Sequence, residues 1–528
     1  MHDARLWVGQ PNVNGESPLG PCMVFIHALA WLQSNTVYGV KVMAIDLSDS
    51  DLFKTSSYVG GQWMSDSPDR LAVTNPATGE VIAEVATIDA SGTAKAIAAA
   101  HDAMQSWREV SAKARARVLR RWFDLMMAHQ EDLAIIMTTE QGKALAESRG
   151  EVAYGAAFME WFGEQAKRID GDVIPAPSSD KRVVCIKQPI GVVAAITPWN
   201  FPNAMIARKA APALAAGCSI VIKPASETPL SALAMAELAE RAGVPAGVLN
   251  VVVGASSEIG PALTDSPLVR KLTFTGSTEV GRRLEEACAA TLKRTSMELG
   301  GNAPFIVFDD ADIDAAVQGA LISKYRNSGQ TCVCTNRVFV QDSIYDAFVE
   351  KLVAATAQLK MGNGLDEGVQ QGPLVNEKAV EDVDRLVRLS TDAGAQVALG
   401  GVRSDLGPCY YQPTVLTEVT SDMAVFRNEI FGPVAPVMSF ADEAEAIALA
   451  NDTEFGLASY FYTRDIGRVW RVSEALDYGM VGVNEGIISN EMAPFGGVKA
   501  SGSGREGSKY GIDDYLEIKY ILMGGLDR

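Results

Sequence analysis

Residues 190–253 read IGVVAAITPW NFPNAMIARK AAPALAAGCS IVIKPASETP LSALAMAELA ERAGVPAGVL NVVV, and their pattern indicates a fold class. Short β-rich runs alternate with alanine-rich runs of helical composition. The β-rich runs are 192–196, 219–222, 248–253 and, further on, 271–275. The helical runs between them are 205–216, 230–242 and 257–263. Such alternation is typical of parallel βαβ units, which bind ligands at the carboxyl ends of their strands.

Outside this stretch, the same kinds of signal continue in both directions. Upstream, one apolar helix face is marked by Ile97, Ala100, Met104 and Trp107, and residues 117–137 predict a further amphipathic helix. Downstream, α/β alternation resumes over 303–440, with a strand at 337–340 and a helix at 345–359. We therefore predict an α/β protein with two parallel-sheet domains.

A hairpin is predicted at about 168–188, because turn residues there precede the strand-like residues 182–187. Residues 515–522 are also strand-like, and we expect them to pair with such a hairpin from a neighbouring copy of the chain. Residues 1–42 show no sustained period, whereas capping and strand signals begin directly after them. This indicates a disordered or non-native leader, with Met43 as the natural start.

Length, charge, cysteine pattern and apolar runs limit the number of domains, the partners and the location that the chain can have. A chain of 528 residues exceeds what one hydrophobic core supports, so at least two domains are expected. The formal charge of −19 disfavours nucleic acid and acidic membrane surfaces as partners. The seven cysteines form no CxxC pair, which suggests reduced thiols and a cytoplasmic location. No apolar run approaches the ~20 residues that span a bilayer.

Candidate reactive residues are few. Only four histidines exist, two of them in the leader, so histidine-based triads and metal sites have little support, and no metal is expected. Cys332 lies in a polar, glycine-containing loop before a predicted strand, although an inert core cysteine is the alternative. Glu298 precedes two glycines, and Asn200 follows a buried strand; alone, they also fit a surface acid and a turn or helix cap.

Together with Phe274–Ser277 and Glu429–Pro433, the segments around these three residues resemble the aldehyde dehydrogenase superfamily from about residue 47 to the C-terminus. The resemblance implies that Cys332 is the nucleophile and that Asn200 and the Cys332 amide form the oxyanion hole. It implies that Glu298 activates the water that hydrolyses the thioester. It also implies a cofactor-binding domain at 43–300 carrying the hairpin, a catalytic domain at 301–495, and a C-terminal return with an oligomerisation strand at 496–528.

The same resemblance implies a nicotinamide dinucleotide, NADP or NAD, as cofactor, although the GxGxxG fingerprint is absent. Ser226 stands where NAD-restricted members often carry Glu, so acceptance of NADP is expected; a helix-capping serine is the alternative. A homo-oligomer, dimer or tetramer, is also implied. The residues implied at the cofactor are Thr197, Pro198, Trp199, Lys223, Ser226, Gly276, Ser277, Glu429 and Phe431.

Within the superfamily, the segments 201–208, 325–334, 486–489 and 504–511 are similar to those of succinate-semialdehyde dehydrogenases. This implies that Arg208, Arg326 and Ser489 bind the distal carboxylate of the substrate, with surface ion pairs as the alternative for the arginines. Cys334 is either a spectator or a partner of Cys332 in a reversible disulfide. Other ω-oxo acids such as glutarate semialdehyde stay open, since one methylene changes binding by only about 1–3 kcal/mol. A cofactor-independent thioesterase and a noncatalytic binding protein are the alternatives from other classes.

Overall fold

The computed structural model describes residues 45–526 and the backbone of 36–37 and 40–41. Apart from those four residues, the predicted leader and the start at Met43 lie outside the described residues. The strands are β1 Thr36–Val37, β2 Val40–Lys41, β3 Ser57–Val59, β4 Gln62–Met64, β5 Arg70–Thr74, β6 Val81–Ala86, β7 Asp172–Ile174, β8 Arg182–Pro189, β9 Val192–Ile196, β10 Ser219–Lys223, β11 Leu249–Val251, β12 Val269–Thr275, β13 Arg294–Glu298, β14 Ala303–Val307, β15 Thr335–Gln341, β16 Gln396–Leu399, β17 Thr414–Thr417, β18 Val434–Phe440, β19 Ala458–Tyr462, β20 Met480–Val483, β21 Gly502–Ser503 and β22 Leu516–Met523. The helices are α1 Ala90–Trp107, α2 Ala112–Ala128, α3 Gln130–Gln141, α4 Leu145–Gln165, α5 Ala204–Ala216, α6 Pro229–Ala242, α7 Ser256–Asp265, α8 Thr278–Ala289, α9 Ile313–Tyr325, α10 Tyr345–Thr356, α11 Glu377–Asp392, α12 Ala424–Arg427, α13 Glu443–Asn451 and α14 Ile466–Ala475.

The first sheet has the order β21-β13-β12-β9-β10-β11-β3-β4 among the described strands. Strands β9 to β13 run parallel, as the βαβ pattern predicts. The chain enters at β9, moves out through β10 and β11, and returns to the other side of β9 through β12 and β13. This reversal makes the carboxyl ends of β9, β10 and β12 a topological switch point, where ligands bind in open α/β sheets.

The second sheet has the order β16-β17-β18-β15-β14-β19-β20 among the described strands. Its strands are parallel except for β16, which pairs antiparallel with β17. The connection from β13 to β14 passes from the first sheet directly into the second. Glu298, at the end of β13, therefore lies at the junction of the two sheets.

The prediction of one continuous helix over 117–137 is wrong. Two helices, α2 and α3, occupy this stretch and meet at His129. Neither Gly nor Pro marks the break in the sequence. Both α2 and α3 pack on α4 and α6, so apolar residues continue across the break and conceal it. His129 is partly exposed beside Asp49 and Asp132, and His101 lies on α1.

The predicted hairpin is present as β7 and β8, but the expected partner of the C-terminal strand needs correction. Strand β22 pairs antiparallel with β8 of the same chain along the whole of both strands, from Leu516–Pro189 to Met523–Arg182. Residues far apart in sequence thus form a three-stranded sheet, β22-β8-β7, within one chain. No helix among the described residues is long and apolar enough to cross a membrane.

Candidate active site

The loop that carries Cys332 has an unusual backbone. It follows a 3-10 turn in which Asn327, Ser328 and Gly329 have positive φ angles of 50°, 53° and 77°. The first two are not glycines, so this conformation costs free energy that the surrounding contacts must offset. Gln141 Nε2 donates to Asn327 Oδ1 at 3.1 Å, and Ser328 Oγ donates to a backbone carbonyl at 2.9 Å. The loop is therefore held in one shape before any substrate binds.

Glycines allow neighbouring backbone to approach this loop closely. A Cβ at Gly301 would lie 2.3 Å from the carbonyl oxygen of Cys332. A Cβ at Gly329 would lie 2.1 Å from the carbonyl oxygen of Gly432. Both distances are far below contact, so no other residue fits without moving the nucleophile loop.

Asn200, just beyond β9, lies against the same loop. Its Nδ2 donates to the carbonyl oxygen of Gln330 at 2.9 Å. The Asn200 carbonyl oxygen accepts from Lys143 Nζ at 2.6 Å and from Asn327 Nδ2 at 3.0 Å. Helix α5 begins further along the chain, so Asn200 does not cap it. The second Nδ2 hydrogen remains available for a substrate oxygen.

The Cys332 side chain is half-buried at the edge of an apolar cluster, whereas Cys218 and Cys288 are buried. Burial and the carboxylate of Glu429 raise the pKa of the Cys332 thiol to about 12, although the Arg208 guanidinium opposes them. At neutral pH the sulfur is therefore a thiol, and a nearby base must accept its proton before it reacts.

Glu298 is the candidate base. Its side chain is buried, and neither carboxylate oxygen has a hydrogen-bond partner among the described residues. Burial, and then the negative charge of Glu506, raise the pKa of Glu298 well above its usual range. Glu506 itself stays ionised: although burial opposes this, Lys209 at 2.5 Å and Arg208 at 2.8 Å lower its pKa. Glu298 thus holds a proton more tightly than an ordinary carboxyl and, once ionised, is a stronger base.

The residues implied at the dinucleotide lie along the switch point. Thr197 N donates to Lys223 O at 3.1 Å, and the Thr197 hydroxyl is buried without a partner among the described residues. Lys223 ends β10, and its Nζ donates to Pro224 O at 3.2 Å. Gly276 follows β12, and Ser277 caps the N-terminus of α8. An unpartnered hydroxyl, a cation and a helix N-terminus at one sheet edge fit a ligand that carries phosphate groups.

Glu429 and Phe431 reach this edge from the second sheet's side. Glu429 Oε1 accepts from Gly301 N at 2.9 Å, and burial raises the pKa of this carboxyl to about 7. A Cβ at Gly300 would lie 2.7 Å from Glu429 Oε2. The Phe431 ring meets Trp199, next to Pro198, edge-on at 5.6 Å. The two halves of the predicted cofactor site are therefore in contact.

Ser226 is partly exposed in the loop between β10 and α6. Helix α6 begins at Pro229, and its N-cap residue is Thr228. The alternative that Ser226 caps this helix is therefore wrong.

A cavity of about 580 Å³ adjoins the nucleophile loop. Arg326, at the start of the 3-10 turn, and Ser489 are both in its wall. The Arg326 guanidinium stacks on the Phe201 ring, 4.9 Å from its centre, and no ion pair to a carboxylate holds it among the described residues. Glu147 lines the same cavity, where burial raises the pKa of its carboxyl and the Arg326 charge opposes the rise. Because no ion pair forms within the described part of the chain, the guanidinium donors remain available to an anionic ligand.

Arg208 has a different setting from the one predicted. It is buried, pairs with Glu506 at 2.8 Å, and stacks on Phe495 at 3.8 Å. It is not among the residues that line the cavity of Arg326 and Ser489. Its positive charge acts on Cys332, where it opposes the rise in pKa of the thiol. Direct contact between Arg208 and the substrate carboxylate stays a prediction.

Sequence reasoning missed the polar residues that support the site. Lys143 pairs with Glu151 in the core at 2.5 Å while donating to Asn200 O. Glu506 pairs with Lys209 and Arg208. Lys143 lies in the loop between α3 and α4, and Glu151 is one of several charged residues at the start of α4, so neither carries a distinct signal in the sequence. For Glu506, the glycine-rich segment around it is the available signal. Cys332 and Cys334 are free thiols, and no group of side chains suited to a metal is found among the described residues.

Comparison with known proteins agrees with this geometry. Residues 63–521 match the Aldehyde dehydrogenase family. Glutarate-semialdehyde dehydrogenase of Pseudomonas aeruginosa is 62% identical over 483 residues, covering 91% of this chain and 100% of that protein. Succinate-semialdehyde dehydrogenase [NADP(+)] of Escherichia coli is 60% identical over 479 residues, covering 90% and 99%. A crystal structure of an E. coli NADP-dependent enzyme superposes with a TM-score of 0.90 at 60% identity, covering 91% of this chain and 100% of that one.

Proposed function

Because this chain belongs to the aldehyde dehydrogenase family and is an NAD(P)-dependent enzyme of that kind, we propose that it oxidises succinate semialdehyde to succinate. The observation that carries this proposal is the guanidinium of Arg326, which forms no ion pair among the described residues, in the wall of the cavity beside the Cys332 loop. With the Ser489 hydroxyl, it suits a carboxylate at the far end of a short aldehyde. The E. coli relative named for this reaction supports the assignment.

Attack begins from a neutral thiol. We propose that Glu298 accepts the Cys332 proton as the sulfur bonds to the aldehyde carbon, so that the carbonyl oxygen becomes an oxyanion. Asn200 Nδ2 and the Cys332 amide would donate to that oxygen. Because Lys143 and Asn327 already fix the Asn200 backbone, these donors need little rearrangement.

The residues of the switch point, with Glu429 and Phe431, would hold the dinucleotide with its nicotinamide ring near Cys332. When bound, this cofactor accepts the hydride that leaves the substrate carbon. Once Glu298 has released the Cys332 proton to solvent, it would take a proton from a water molecule whose oxygen attacks the carbonyl carbon of the Cys332 thioester. The carbon–sulfur bond then breaks, the Cys332 sulfur regains a proton from Glu298, and the carboxylic acid is released.

We propose that NADP is accepted, because Ser226 offers a neutral, partly exposed side chain that does not cap α6. Replacing Ser226 with Glu would place a negative charge where a 2'-phosphate would lie. The ratio of kcat/KM for NADP to that for NAD should fall at least tenfold. An unchanged ratio would remove Ser226 from the cofactor site.

Glutarate semialdehyde is the second candidate substrate, favoured by the P. aeruginosa relative at 62% identity. The cavity of about 580 Å³ has room for one more methylene. Comparing kcat/KM for succinate semialdehyde, glutarate semialdehyde and butanal separates the proposals. We expect succinate semialdehyde to lead and butanal to be poorest, whereas butanal equal to either acid would refute an anionic substrate.

The organisation of the protein follows from the same proposal. We assign cofactor binding to 43–300, which includes the hairpin at about 168–188, and catalysis to 301–495. Residues 496–528 form the C-terminal return and carry the oligomerisation strand. We further propose a homo-oligomer, dimer or tetramer, and a cytoplasmic location.

A further inference from the structure

Tyr154 is a polar residue of the cavity for which the reaction above gives no task. It lies on α4, and its side chain lines the cavity together with Arg326 and Ser489. Its hydroxyl oxygen is buried and has no hydrogen-bond partner among the described residues. Because an unsatisfied buried hydroxyl costs free energy, such groups in cavities usually meet a ligand or water.

The Tyr154 ring is held firmly, so the position of the hydroxyl is set in advance. Phe158, one turn along α4, packs on it at 5.2 Å between ring centres, with the planes at 77°. The ring also contacts the small apolar cluster of Phe201, Ala204 and Met205. A donor fixed in this way loses little entropy when a ligand binds.

Charges around the phenol oxygen favour a negative ligand group. Burial raises the pKa of Tyr154, the guanidinium groups of Arg208 and Arg326 act in the opposite direction, and the carboxylate of Glu506 has a smaller effect that raises it. The phenol therefore keeps its proton at neutral pH and is available as a donor. Two cations nearby provide a positive field that a substrate anion would share.

We propose that the Tyr154 hydroxyl donates a hydrogen bond to the distal carboxylate of the aldehyde substrate, beside Arg326 and Ser489. This inference rests on the proposed function, since it assumes an anionic aldehyde. The hydroxyl contributes to specificity in two ways: it binds a carboxylate, and it is left unpaired when an uncharged aldehyde occupies the cavity.

The test compares Tyr154→Phe, which removes only the hydroxyl, with wild type on succinate semialdehyde and butanal. The KM for succinate semialdehyde should rise about tenfold with kcat nearly unchanged, because a hydrogen bond to a charged group is lost. The KM for butanal should stay the same or fall. Inhibition by succinate, which carries the same carboxylate, should weaken by a similar factor.

Tyr411→Phe is the matched control. Its hydroxyl is also buried without a partner among the described residues, but it lies in the second domain's core and not in the cavity wall. This variant should leave both KM values unchanged. Unchanged kcat on butanal shows that Tyr154→Phe is folded.

Each other outcome decides against one of the two proposals. If wild type uses butanal as well as succinate semialdehyde, the proposed function fails. If wild type prefers the semialdehyde but Tyr154→Phe keeps the wild-type KM, the inference is overturned and the proposed function stands. A fall in kcat on both aldehydes with unchanged KM also overturns it, because the hydroxyl would then act at the reacting carbonyl.

Discussion

At the scale of single residues, the site combines two acidic groups whose protons are both held more tightly than usual. The Cys332 thiol and the Glu298 carboxyl both have raised pKa values, chiefly through burial. Both groups therefore hold protons more tightly than usual, and transfer between them is better balanced than transfer to an ordinary carboxylate. The same burial makes activity sensitive to pH.

The first prediction concerns this pH dependence. Glu298 must be ionised to take a proton from water, and its pKa is raised, so kcat should increase with pH through a range above that of ordinary carboxyls. Glu298→Gln should lower the rate of thioester hydrolysis by about 10²- to 10⁴-fold. It should also abolish the increase of kcat with pH. The pH profile of steady-state kcat measures both effects, and the first turnover of the variant should show no burst of NAD(P)H, because Glu298 is also the proposed acceptor of the Cys332 proton. If kcat of Glu298→Gln still increased with pH as it does in wild type, a group other than Glu298 would be the one that takes the proton from water.

The second prediction concerns the substrate carboxylate. Arg326→Gln should raise the KM for succinate semialdehyde about 10- to 100-fold, because a charge-assisted bond is lost, with little effect on butanal. Arg388→Gln is the control, since Arg388 is an exposed residue of α11 that pairs with Asp384. Equal losses on both aldehydes would mean that Arg326 supports the loop and not the substrate.

At the scale of elements, the connection between β13 and β14 sets the geometry of the nucleophile. Gly300 passes beside Glu429, and Gly301 beside the backbone of Cys332. Glu298, Glu429 and Cys332 are thereby brought together by one short segment. A small displacement of this segment would therefore change the positions of all three groups together.

The third prediction tests that segment. Gly301→Ala places a Cβ 2.3 Å from Cys332 O, so the nucleophile loop must move. We expect kcat/KM to fall about 100-fold, since a displacement near 1 Å is costly in a positioned site. Gly260→Ala in α7, where a Cβ meets nothing within 4 Å, should keep full activity and gain up to about 1 kcal/mol of stability. Full activity in Gly301→Ala would show that the loop tolerates displacement.

Much of this element structure could be predicted from local patterns. Strands β9, β10 and β12 and the helices between them were predictable because each βαβ unit is continuous in sequence. The break at His129 was not, since tertiary packing ends α2 without a local signal. The supporting role of Glu506 depends on contacts with Lys209 and Arg208 nearly 300 residues earlier, and no pattern along the chain reveals such pairs.

At the scale of the whole molecule, a chain of formal charge −19 is proposed to bind an anionic substrate. Its overall field disfavours that encounter, so the cations near the cavity must overcome it locally. The three-stranded sheet β22-β8-β7 also exposes apolar side chains, among them Val173 at 79% and Ile518 at 71%. This surface is consistent with the proposed homo-oligomer, because large exposed apolar side chains on one sheet mark an interaction site.

Cys332 is the proposed nucleophile of an NAD(P)-dependent oxidation, and every other proposed role in the site depends on it. The most direct test follows absorbance from NADPH or NADH formation with succinate semialdehyde, for wild type and for Cys332→Ala, with each cofactor. We predict cofactor reduction by wild type and none by Cys332→Ala, with circular dichroism unchanged. Cofactor reduction by a folded Cys332→Ala protein at the wild-type rate would contradict the account.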